Sequence, residues 1–158
     1  MREDIHPEDN FRIGKGALRV GKPAYAAAHF HAALVEEERR APLGQRMKYL
    51  SYYGLAMTLA DKPRHKYAEM CEQSVRKDGF DADVLANLAH VYFLARRRSK
   101  ALPVILRGLR IEPTHGRLNE LLLKIERRKP PVFGSLSRDN FLNRTAGRIR
   151  RTLLSRSA

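Results

Sequence analysis

Cysteine occurs once in this chain of 158 residues, at Cys71. One thiol closes no intramolecular disulfide and cannot by itself build a structural zinc site; the expected role is that of a small buried hydrophobe. Long apolar runs are missing as well, and none approaches the roughly 20 residues that cross a bilayer. The opening MREDIHPEDN is polar and acidic, the wrong character for a secretory leader, so a cytoplasmic location is expected. No HExxH spacing is present, and His29 and His31, two residues apart, would point to different faces of a helix as a surface pair. No nucleophile beside a base and no acid–base pair can be singled out. These absences lead to the expectation of a protein that is not an enzyme, with no catalytic residue, no metal site, no cofactor and no small-molecule substrate.

Negative charge is in short supply relative to positive: 17 Asp and Glu face 31 Lys and Arg, a net charge of +14. Such a field attracts nucleic acid, anionic lipid and acidic proteins without choosing among them. The excess is concentrated in Arg96, Arg97, Arg98 and Lys100, in Arg127, Arg128 and Lys129, and between Arg138 and Arg156. The run Glu36, Glu37, Glu38 before Arg39 and Arg40 reads as a solvated helix end.

Alternation of apolar and polar residues is not sustained anywhere, whereas spacings of three and four recur, so the chain reads as all-α. In LANLAHVYFL, Leu85, Leu88, Ala89, Tyr92 and Phe93 share one helix face. Pro7, Gly21 with Pro23, Pro42 with Gly44, Asp61 with Pro63, Asp78 with Gly79, Pro113 with Gly116 and Pro130 with Pro131 divide the chain into segments of about helical length. Seven helices are expected before residue 130, each antiparallel to its neighbours because the links are short. The stretch GALRVGKP places Gly16, Gly21 and Lys22 at the spacing of a phosphate-binding loop, yet no strand precedes it and Pro23 supplies no hydroxyl for magnesium. Gly21 instead suits the left-handed C-terminal cap of one helix, and Pro23 the first turn of the next.

The segment from Val84 to Pro113 carries Leu85, Leu88-Ala89, Tyr92, Ala101, Ile105, Gly108 and Pro113 in order. This resembles the tetratricopeptide repeat, a helix pair of about 34 residues with small and bulky residues at set places. The opening segment fits the same template through Ile13-Gly14, Ala26, Phe30 and Ala33-Leu34. A middle unit fits through Leu50, Tyr53-Gly54 and Met57, then Ala68, Glu72 and Val75 if the turn DKPRHKY holds a short insertion. The organisation is then an N-terminal segment 1–6 and a repeat domain 7–129. Its repeats cover about 7–40, 47–81 and 82–115, and a capping helix over 116–129 turns Arg117, Asn119, Glu120 and Lys124 outward. A linker and basic amphipathic tail follow over 130–158.

The resemblance implies an antiparallel helix-pair superhelix, an α-solenoid, whose concave wall is made by the first helix of each pair and holds a protein segment. Mapped onto this sequence, that wall presents Phe11, Arg12, Lys15 and Arg19, then Lys48, Ser51, Tyr52 and Leu55, then Asp83, Asn87, His90 and Phe93. Tyr52 and Phe93 are expected to be partly packed between helices, and His90 to be an ordinary residue of a helix face. Some members of that family grip a chaperone's C-terminal carboxylate with a Lys/Asn/Asn/Lys/Arg clamp. Those places here hold Phe11, Lys15, Tyr52, Asp83 and Asn87, so chaperone-tail binding is not expected.

Beyond the repeats, Leu142, Ala146, Ile149 and Leu153 recur at helical spacing, and Arg144, Arg148, Arg150 and Arg151 supply the charge. A basic amphipathic helix of this kind docks on an acidic protein, an anionic membrane or RNA, or folds back on the repeat body. The leading expectation is an adaptor or scaffold subunit with a protein partner in the groove and an acidic surface on the tail. The alternatives are an RNA- or ribonucleoprotein-associated accessory factor and, third, a secretion-type chaperone, whose acidic character this chain lacks.

Overall fold

A computed structural model of the protein describes residues 6–40 and 46–127. These form seven helices, α1 (Pro7–Arg19), α2 (Pro23–Arg40), α3 (Arg46–Ala60), α4 (His65–Lys77), α5 (Ala82–Leu94), α6 (Arg98–Ile111) and α7 (Gly116–Arg127). Among the described residues there is no strand and no helix long and apolar enough to cross a membrane. Residues 1–5, the whole link 41–45 between α2 and α3, the end of the expected capping helix with Arg128 and Lys129, and the linker and tail of residues 130–158, including Arg144, Arg148, Arg150 and Arg151, lie outside the described residues.

Local chemistry sets the helix ends. Pro7 occupies the first turn of α1, where its missing N–H costs nothing, and Glu8 and Asp9 face the positive end of the helix dipole. At the other end Gly21 takes φ 71°. Its N–H reaches Leu18 O at 3.2 Å and the Lys22 N–H reaches Ala17 O at 2.9 Å, a Schellman cap that a glycine enters without steric cost. Pro23 then opens α2. The glycines that suggested a phosphate loop are therefore a helix residue, Gly16, and a helix cap, Gly21. The same cap recurs after α5, but there Arg96 holds the left-handed position at φ 59°. Asp81 caps α5 by accepting the N–H groups of Asp83 and Val84 at 2.8 and 3.2 Å.

Helices adjacent in the chain pack on one another from α1 to α6, and α3 also packs on α5. The first compact unit runs to Leu123, and the packing described here is that of this unit. Within the first two pairs a small residue admits its partner. A Cβ on Gly14 would enter the Phe30 ring and one on Gly54 would meet Cys71 Sγ and Tyr67 O, while Gly108 on α6 admits the next helix, where a Cβ would collide with Leu118 of α7. Phe11, Phe30, Tyr49 and Tyr52 then form an aromatic cluster with ring centroids 4.8 to 5.7 Å apart. Each such pair contributes about 0.5–1.5 kcal/mol beyond the area it buries.

Three expectations are corrected by this packing. Glu37 is buried, so the glutamate run is not wholly solvated, although Glu36 and Glu38 pair with Arg39 and Arg46 at 3.0 and 2.9 Å. His29 is half-buried and hydrogen-bonds the buried Asn10 side chain at 2.8 Å, leaving His31 as the surface member of the two. On α7, Arg117 turns inward rather than outward, because two acceptors wait for it on α5.

Candidate binding groove

Alternate helices converge on one concavity of about 330 Å³. From α1 it receives Lys15, Leu18 and Arg19, from α3 Tyr52, Leu55 and Leu59, from α5 Asp83 and His90, and from α7 Arg117. The α1 contribution follows from helical spacing, since Lys15 and Arg19 stand four residues apart and Leu18 between them faces the same way. Leu55 and Leu59 repeat that spacing on α3. The surface is thus an apolar floor with cations around it.

Beneath the floor lies a chain of hydrogen bonds. Ser51 Oγ donates to Lys48 O at 2.8 Å and accepts from Asn87 Nδ2 at 3.0 Å. Asn87 Oδ1 accepts from Arg117 Nη2 at 2.6 Å. Asn87 is fully buried, and no buried side-chain polar atom among the described residues lacks a partner, as a low-dielectric interior requires. Arg117 Nη1 also lies 3.5 Å from Asp83 Oδ1, and its guanidinium carbon stands 5.9 Å from the centre of the Tyr52 ring. Lys15 Nζ is 5.6 Å from the Phe11 ring centre and 5.9 Å from that of Tyr52, within cation–π range.

Asp83 collects the remaining polar contacts. His115 Nε2 is 3.3 Å from Asp83 Oδ1, while His115 Nδ1 accepts the Leu118 N–H at 3.3 Å, which places the ring proton on Nε2. Burial works to raise the Asp83 carboxyl. Hydrogen bonds from Tyr52 and His115 and the charges of Arg117 and Lys15 prevail, and the group sits below the usual carboxylate range. Burial, then the charge of Asp83, push the Tyr52 hydroxyl well above its ordinary value, so it stays a donor. Elsewhere, burial pushes the Cys71 thiol up to about 12, and its Sγ donates to Ser51 O at 3.4 Å. A thiol so placed packs and does not react at neutral pH.

Of the residues mapped to the groove from sequence, Lys15, Arg19, Tyr52 and His90 line the concavity together with Leu55 and Asp83. Phe11 and Asn87 are buried below it, holding up Lys15 and Arg117 respectively. Tyr52 is 3 % exposed and offers little more than an edge. Lys48 pairs with Asp81 at 3.3 Å, Arg12 pairs with Asp9 at 2.9 Å, and Phe93 is half-buried; none of these three lines the concavity. Leu18, Leu59 and Arg117 were not singled out from sequence as groove residues. The two leucines could have been found one turn beyond Lys15 and Leu55. Arg117 carried no such signal, because a polar residue on a capping helix resembles any solvated arginine.

Two other hollows are less well equipped. One of about 560 Å³ lies among the turns at Lys22–Tyr25 and Leu59–Ala60, where Lys22 supplies the charge. Another of about 290 Å³ lies between the start of α4 and the end of α5, where Arg64 and His65 are already paired with Asp61 and Glu69 at 2.8 and 3.2 Å. Among the described residues no cluster of three or more His, Cys, Asp or Glu side chains could hold a metal ion. No family model matches the chain, and no curated protein matches it in sequence.

Proposed function

We propose that this chain is a non-enzymatic adaptor of tetratricopeptide-repeat type, which holds a segment of a partner protein in the groove of α1, α3 and α5. Its repeats cover residues 7–40, 47–81 and 82–115, and 116–129 closes the last of them as a capping helix. The observation that carries this reading is that the first helix of every pair contributes to one concavity with a mixed lining, apolar at its floor and charged around it. Binding sites for protein segments combine these two features. The small residues Gly14 and Gly54 at the contacts within pairs, and Gly108 where the capping helix meets the last pair, support the same repeat reading.

The basic tail, through Arg144, Arg148, Arg150 and Arg151, is proposed to meet an acidic surface, and the protein to act in the cytoplasm. A second reading, an RNA-associated factor, is favoured by the net charge of +14, which would bind phosphates in a steeply salt-dependent way. Affinity purification from native lysate at near-physiological salt, with and without nuclease, separates the two. The adaptor reading requires a defined partner that survives nuclease and is lost with Lys15→Glu and Arg19→Glu. Recovery of RNA-linked material alone, abolished by nuclease or by ending the chain at Lys129, would replace it with the RNA reading.

A further inference from the structure

Groove charge, taken residue by residue, is out of balance. Lys15 and Arg19 repel one another four residues apart on α1, an arrangement that weakens a helix unless something between them is negative. Among the described residues neither forms an ion pair; Lys15 rests instead over the rings of Phe11 and Tyr52. Arg117 adds a third cation across the groove. The one carboxylate in the lining, Asp83, is engaged by His115, Arg117 and the Tyr52 hydroxyl and also feels the charge of Lys15, so a single negative charge is shared among three cations. Between these cations stand Leu18, Leu55 and Leu59.

From this arrangement we infer that the groove takes an acidic peptide segment, with an apolar side chain seated on Leu18 and Leu59 and flanking Asp or Glu carboxylates at Lys15 and Arg19. The inference rests on the adaptor reading and names the chemistry of its partner. Carboxylates offset the excess of cations over Asp83, and the leucine floor selects a side chain rather than a bare anion. Nucleic acid fits less well, since base stacking needs an open aromatic face and the Tyr52 ring is covered by Lys15, Arg117 and the edge of Phe11. A free C-terminus is not required, because no set of donors is grouped around a single carboxylate. The volume of about 330 Å³ suits a few side chains of an extended or helical segment, not a folded surface.

Fluorescence anisotropy on the full-length protein tests this with three short labelled peptides that share two leucines and differ in the flanking residues, glutamate, glutamine or lysine. The glutamate peptide should bind most tightly, and Lys15→Gln with Arg19→Gln should weaken it at least about tenfold. Both sites are on the surface of α1, so circular dichroism should show the helix content unchanged. Replacing Arg144, Arg148, Arg150 and Arg151 with Ser should leave that binding in place; if it abolishes it, the acidic site is the tail and the inference is overturned. Equal binding of the glutamine peptide, lost with Leu59→Asp, would keep the groove and discard the acidic partner. If no peptide responds to any groove variant, the inference and the adaptor reading fall together. A dimer in sedimentation that is broken by the Lys15 and Arg19 changes would seat a second copy of the chain there instead.

Discussion

Arg117 on α7 and Asn87 on α5 meet at 2.6 Å, thirty residues apart in the chain. Through that bond the guanidinium is aimed across Tyr52, and the buried amide of Asn87 is satisfied on its acceptor side while Ser51 satisfies it on the donor side. Removing Asn87 therefore disturbs two helices besides its own.

Asn87→Ala should destabilise the fold by about 1–3 kcal/mol, the cost of leaving buried polar partners unmatched. Arg117→Ala should cost less, since Arg117 is partly exposed and water can replace it at Asn87. Urea denaturation of both variants gives the order directly, and a larger loss for Arg117→Ala would contradict it.

Gly14 and Gly16 stand two residues apart on α1 and should respond with opposite sign. A methyl group on Gly14 meets the Phe30 ring, whereas one on Gly16 meets nothing within 4 Å. Gly14→Ala should destabilise by about 1–3 kcal/mol through overpacking. Gly16→Ala should stabilise by roughly 0.5–1 kcal/mol, the helix-propensity gain of alanine over glycine. Thermal melts of the pair check both.

Arg96 pays a conformational cost that glycine would not, because its φ of 59° crowds a β-carbon against the backbone. Arg96→Gly should raise stability by about 1 kcal/mol, while Gly21→Ala, at the equivalent cap of α1, should lower it by a similar amount. If Arg96→Gly lowers the melting temperature, the side chain makes a contact that outweighs the strain.

Asp83 should make stability sensitive to acid. Its carboxyl is held below the ordinary value of 3.8 in the folded chain, so the unfolded chain takes up its proton first. Its contribution is fully present above that ordinary value and is lost as pH falls through the lower folded value. Urea midpoints measured downward from pH 5 should decline, and Asp83→Asn should flatten the part of the decline due to this group. An unchanged slope in the variant would assign the acid sensitivity to other carboxylates.

Much of the fold was legible because its signals are local. Gly21 and Pro23 mark a cap and a helix start whatever surrounds them, and the recurrence of Leu85, Leu88 and Tyr92 needs only the pitch of a helix. By the same logic Lys15, Arg19 and Leu55 could be assigned to helix faces that share a groove. Spacing assigns a residue to a face but not to a depth, and this is where expectation and structure part. Phe11 and Asn87 lie on the expected faces yet sit beneath the surface, because Tyr49 and Tyr52 cover one and Ser51 and Arg117 enclose the other.

The sequence by itself determined the number of helices among the described residues, the breaks between them and the small residues through which they approach, since each depends on a few neighbouring positions. Only the tertiary structure decided that Arg117 turns inward, that Glu37 is buried and that His29 bonds Asn10. In each case the deciding partner is a side chain on another helix, and no periodicity along one helix can say which groups the next will bring against it.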